Sequence, residues 1–106
     1  MYILNRLPRF EWDPDKARIN KSKHGISFEV ASTGFDDPLQ LRFDDTMHST
    51  LDEQRSILVG RVDDGIILTI VFTQRGEVLR LISARRAHRK ERKRYYEQQT
   101  ESQESQ

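Results

Sequence analysis

Lys23-His24, Arg61, Arg75, Arg80, Arg85, Arg92 and Tyr95 are the side chains of this chain whose types suit chemistry on a phosphate group. Arginine's planar fork matches phosphate oxygens two at a time. Histidine, lysine, tyrosine and glutamate move protons when their surroundings tune them. Cleavage of a phosphodiester next to a 2′-hydroxyl, by side chains alone, has three requirements. One group takes the hydroxyl proton, a second protonates the departing 5′ oxygen, and fixed positive charge stabilises the phosphorus centre. The chain can meet all three. His24 or Lys23 is the candidate for proton transfer, Arg85 for the phosphate clamp, and Arg61 or Arg80 for a second positive group. Glu91, Arg92 and Tyr95 can orient the clamp or contribute directly.

The distribution of charge points the same way. The formal net charge of the 106 residues is only +1, yet Glu29 to Glu53 sets seven acids against Arg42, and Arg80 to Tyr96 sets eight bases against Glu91. A basic segment of that density suits an anionic partner. Arg86, Arg89, Lys90 and Lys93 are the expected RNA-holding residues, by general attraction. A solvated helix face is the plainer use of such a run. The alternative reading is therefore a basic binding module without catalysis, gripping nucleic acid or an acidic protein.

Other chemistries have less to stand on. His24, His48 and His88 are scattered and fit no metal-ligand spacing, so no metal site is expected. There is no Gly-rich phosphate cradle, no GxSxG elbow and no cysteine, so no cofactor, serine triad or thiolate is expected. The absence of cysteine fits a reducing cytoplasm. No apolar run reaches the roughly 20 residues of a membrane span, and the first ten residues are too short and interrupted for a signal peptide.

The elements that must position these groups read as α+β. Phe10 to Trp12 forms a short strand. Asp13 caps a helix with Pro14 in its first turn, and Gly25 closes it after His24. Ser27 caps a second helix with Phe28, Ala31 and Phe35 on its apolar face, and Asp37-Pro38 stops it. Short strands follow: residues 39–43, then 56–62. Asp63-Asp64-Gly65 makes a hairpin turn, and the apolar run from Ile66 to Thr73 is the central strand. After a second turn, residues 78–84 return, which completes an antiparallel meander. Alternation puts Leu79, Leu81, Ser83 and Arg85 on one face and Val78, Arg80, Ile82 and Ala84 on the other. A basic helix then spans 86–99, with Ala87, Glu91 and Tyr95 along one side. Trp12 reads as a core anchor rather than a base-stacking platform. Residues 1–97 form one domain, and the polar stretch 98–106 is expected to be a disordered tail.

Trp12-Asp13, Lys16, Asn20, Lys23-His24-Gly25, Phe28, Arg55, Gly60, the run Ile82 to Arg85, Glu91-Arg92 and Tyr95 together resemble the BrnT family. These are toxins of bacterial type II toxin–antitoxin systems. The resemblance covers about Phe10 to Glu97 and leaves out the first nine residues and the tail. It implies a RelE-like fold, an antiparallel sheet of about four strands with two N-terminal helices and the basic C-terminal helix. It implies a metal-independent endoribonuclease that inhibits translation. It also implies a BrnA-like ribbon-helix-helix antitoxin as partner, with operator DNA bound only through the toxin–antitoxin complex.

Overall fold

In a computed structural model that describes residues 9–104, Asp13 accepts a hydrogen bond from the Asp15 N–H at 2.8 Å and opens α1 (Pro14–His24). Gly25 closes that helix at φ 73°, in the left-handed region that glycine enters without a steric cost. Ser27 caps α2 (Phe28–Ser32), which tightens into a 3₁₀ turn over Thr33–Asp36. The strands are β1 (Arg9–Glu11), β2 (Leu41–Asp44), β3 (Arg55–Arg61), β4 (Ile67–Arg75) and β5 (Val78–Arg86), and α3 spans Arg89–Glu104. The first eight residues, including most of the segment weighed as a signal peptide, and the last two residues of the expected tail lie outside the described residues.

The α+β class holds, but the sheet differs from expectation. It has five strands in the order β1-β5-β4-β3-β2, and it is mixed rather than antiparallel throughout. β1 runs parallel to β5, with Phe10 opposite Leu79. Three residues joined to a distant strand leave no local pattern, whereas the hairpins around Gly65 and Gly76 do. The last helix also begins later than expected. Arg86 is still strand, and the Ala87 N–H donates to the Ile67 carbonyl at 2.9 Å, which carries the pairing one step further. α3 then continues past Gln99 to Glu104, through glutamate and glutamine residues that favour helix.

One face of the sheet carries the main core. Leu58, Leu68, Ile70, Phe72, Leu79, Leu81 and Ala84 pack there against Phe28, Ala31 and Phe35. Trp12 lies edge-on to Phe28 with ring centroids 5.8 Å apart, so it is an anchor of that core. A side chain at Gly60 would meet the Gly34 carbonyl oxygen at 3.0 Å, so glycine is what lets the 3₁₀ turn lie on β3. The other face carries a smaller core of Val59, Ile67, Ala87 and Tyr95, with Leu41 and Ile57 against it.

α1 is held to the sheet by an amide rather than an apolar stripe. Asn20 is its one buried residue. The Asn20 side chain donates to the carbonyls of Ile26 and Ala84 and accepts from the Ala84 N–H. Beyond the three residues that pair with β1, it therefore acts for β5 as a neighbouring strand would. Asn20→Ala removes these bonds and leaves buried backbone groups without partners, each costing about 1–3 kcal/mol. The variant should lose about 2–4 kcal/mol in urea unfolding. A loss below about 1 kcal/mol would show that the amide is not the anchor.

Candidate nucleic-acid interface

β5 contains the feature that decides which basic side chains can meet. Val71 pairs with Ser83, but Phe72 pairs with Leu81, so Ile82 is an extra residue in the strand. This β-bulge reverses the alternation at that point. Leu79, Leu81 and Ala84 all face the main core. Arg80, Ser83 and Arg85 face the opposite side, in register with Thr73, Val71 and Thr69. The sequence expectation that Arg80 and Arg85 point to different faces is corrected by this one residue. Arg55 joins the same face through its pairing with Thr73.

Arg55, Arg80 and Arg85 each already have a carboxylate. Arg55 meets Glu53 at 2.9 Å, Arg80 meets Glu11 at 3.4 Å, and Arg85 meets Glu91 at 2.9 Å. The Arg85 pair is two-pronged, with its second bond at 3.0 Å. Glu91 does more than hold Arg85. It accepts from the Thr69 hydroxyl at 2.9 Å and from the His88 N–H at 2.6 Å. The second of these is the backward reach of a capping box, since Glu91 stands in the first turn of α3. Burial alone would raise the Glu91 carboxyl. The Arg85 guanidinium, the His88 N–H and the Thr69 hydroxyl outweigh it and hold the group down to about 2.

Farther along α3, Tyr95 is buried and donates to Asp37 Oδ2 at 2.5 Å. The same oxygen accepts from the Arg61 N–H, and Oδ1 accepts from the Leu39 N–H. The Arg61 guanidinium lies 6.0 Å from the centroid of the Tyr95 ring. Burial raises the Asp37 carboxyl, but Tyr95, these N–H groups and the Arg61 charge together bring it below its ordinary value. Burial and the Asp37 acceptor push the Tyr95 hydroxyl up against the opposing pull of Arg61. Asp37 is a site-forming residue that the sequence showed only as a helix stop. A one-residue Asx turn after the 3₁₀ segment hides its contacts with residues 24 and 58 positions away.

The remaining candidates lie elsewhere. Arg92 donates to the Ala87 carbonyl. Arg89, Lys90 and Lys93 are exposed on α3, where Lys93 lies 3.9 Å from Glu97. Lys90 and Arg94 edge an apolar groove floored by Leu41, Phe43 and Val59. His24 and Arg86 line a cleft on the other side of the sheet, and Lys23 is exposed beside it without lining it. His24 and Arg85, expected as partners in one centre, thus belong to different surroundings. Among the described residues, no three histidines or acids gather as metal ligands would, and no helix is long and apolar enough to cross a membrane.

The Glu91 carboxylate titrates near 2 in the folded chain and near 4.5 unfolded. Its contribution is complete above about pH 4.5 and is lost as pH falls through about 2. Solvent reaches part of the carboxylate and screens it, so the size is about 1–2 kcal/mol. Glu91→Gln should therefore be less stable than the parent at pH 7 and should lose less stability between pH 4.5 and 2. Parallel stability curves for the two proteins over that window would contradict this role for Glu91.

Comparison with known proteins follows the same lines. The family described as "Ribonuclease toxin, BrnT, of type II toxin-antitoxin system" matches residues 12–91. The crystal structure of the Brucella abortus ribonuclease toxin BrnT superposes with a TM-score of 0.58 at 25% identity, covering 76% of this chain and 97% of that one. Comparison with curated proteins gives no match.

Proposed function

This chain belongs to the BrnT family of ribonuclease toxins of type II toxin–antitoxin systems, and from that premise we propose that it cleaves RNA without a metal ion and thereby inhibits translation. The observation that carries the proposal is the bulge at Ile82, which gathers Arg80, Ser83 and Arg85 with Arg55 on one half-exposed face of the sheet. A row of guanidinium groups at strand spacing suits a phosphate backbone, and their carboxylate partners hold them in position until phosphate competes for them. α3 adds the exposed cations Arg89, Lys90 and Lys93 beside that face, which raises the local concentration of RNA.

In this reading the attacking 2′-hydroxyl loses its proton to a side-chain base and bonds to phosphorus. The 5′ oxygen leaves with a proton from a side-chain acid, and a 2′,3′-cyclic phosphate remains. His24 and Lys23 are the proposed proton carriers, reached where the RNA strand passes the end of β5 at which Arg85 and Arg86 are adjacent. Arg85 and Arg80 are the proposed clamps, with Arg61 as a further positive group. Glu91 orients Arg85, while Arg92 and Tyr95 fix α3 against the sheet. We further propose a RelE-like arrangement of the site, a cytoplasmic location, and neutralisation by a BrnA-like ribbon-helix-helix antitoxin, with operator DNA bound by the complex.

A second reading has its own observation. Since Arg55, Arg80 and Arg85 are each paired with an acid, the face can also serve as a docking surface without cleavage. Incubation of the purified chain with RNA in EDTA separates the two readings. Fragments are expected, and salt-dependent binding without fragments would favour the docking surface. The double variant Arg85→Met, Glu91→Gln leaves no unpaired charge, so it tests the clamp apart from the fold. It should stay folded and cut at least about 100-fold more slowly. Unchanged cutting would remove Arg85 from the chemistry.

A further inference from the structure

Arg55, Arg80 and Arg85 are each paired with an acid, whereas three cations on the other side of the sheet are not. Lys21 and His24 in the last turn of α1 and Arg86 at the end of β5 line one cleft of about 280 Å³. Among the described residues, none of these three side chains has a hydrogen-bond or ion-pair partner. Arg86 reaches the cleft because it is in register with Leu68, on the main-core side of the sheet, while Arg85 points the other way. The rest of the wall is mostly apolar: Val30 from α2, with Val62, Ile66 and Leu68 around the β3–β4 hairpin. Val30 is 40% exposed, so this apolar wall is open to a ligand. Asp64 is the one carboxylate in the lining, and its Oδ1 accepts from the Ile66 N–H at 3.3 Å.

We propose that this cleft is a nucleotide subsite, holding an RNA phosphate between Lys21, His24 and Arg86 and the attached base against Val30 and Ile66. It rests on the ribonuclease reading and deepens it by naming where one nucleotide of the substrate sits. Three unpaired donors beside a single carboxylate leave the cleft with an excess of positive charge that a phosphate matches. A phosphate alone would leave the apolar wall uncovered, whereas a base covers it. The volume is near the lower end for small-ligand sites, roughly 300 Å³, which suits one nucleotide rather than several. The geometry also gives His24 a task. Its imidazole touches the phosphate from the side of the sheet opposite to Arg85, and the two sides meet at the strand end where Arg85 and Arg86 are adjacent.

The test is an NMR titration of the full chain with adenosine 5′-monophosphate, following the ring protons of its three histidines. The His24 signals should move and saturate while those of His48 and His88 stay fixed. Arg86→Gln should weaken binding at least about fivefold, and Arg18→Gln, which removes a charge from the same helix outside the cleft, should leave it unchanged. Inorganic phosphate should bind about tenfold more weakly than the nucleotide. His24 signals that ignore the nucleotide, or that respond equally in Arg86→Gln, overturn the subsite. Equal binding by inorganic phosphate overturns the base contact, and equal binding by N-acetylaspartate makes the cleft a site for acidic peptide instead. If the nucleotide binds but RNA in EDTA stays intact, the ribonuclease reading fails and the subsite stands. If RNA is cut while His24 ignores the nucleotide, the subsite fails and the ribonuclease reading stands.

Discussion

The two-pronged bond between Glu91 and Arg85 is the joint on which the basic face depends. α3 is a very polar helix, and it brings few apolar atoms to the sheet. Tyr95 is the buried aromatic of its middle, and Ala87 lies just before its start. Its position is set by two polar anchors. Near the start, one carboxylate binds a guanidinium of β5, a hydroxyl of β4 and the His88 N–H just before the helix. A turn later, the Tyr95 hydroxyl reaches Asp37 at the end of the 3₁₀ segment. Partly buried carboxylates with this many donors are held ionised, and removing a partner strands a charge. The helix is thereby fixed in register with its remaining cations turned outward.

That arrangement changes how the basic run is understood. A net charge near zero conceals two kinds of cation. Some are held by acids and serve as structure until a stronger anion arrives, as Arg55, Arg80 and Arg85 do. Others, such as Lys21, His24 and Arg86, stand in a cleft with no acid bound to them among the described residues. Phosphate must displace a carboxylate in the first case and only water in the second. Sorting the cations by partner therefore says more about the chemistry than counting them.

Much of the fold was legible because its signals are local. Asp13-Pro14, Ser27, Gly25 and Asp63-Asp64-Gly65 each fix backbone within a few residues, and the observed caps and turns follow them. The family was legible from scattered residues whose structural duties now explain much of their pattern: Asn20 completes the edge of β5, Gly60 admits the 3₁₀ turn, and Glu91 and Tyr95 seat α3. What stayed hidden was non-local. Leu-Ile-Ser reads as unbroken alternation, and only the pairing with β4 shows that Ile82 is extra. The parallel contact of β1 depends on where the intervening chain returns. His24 and Arg85 look like partners in a list of reactive groups, but the sheet lies between their surroundings.

The central claim is that side chains of this protein drive attack by a 2′-hydroxyl on the neighbouring phosphate. End-group analysis of the cut RNA tests it most directly. The account predicts 2′,3′-cyclic phosphate or 3′-phosphate on one fragment and a 5′-hydroxyl on the other, with cutting abolished by a single 2′-deoxy substitution at the scissile nucleotide. Fragments bearing 3′-hydroxyl and 5′-phosphate ends, or undiminished cutting of the deoxy-substituted strand, would contradict it.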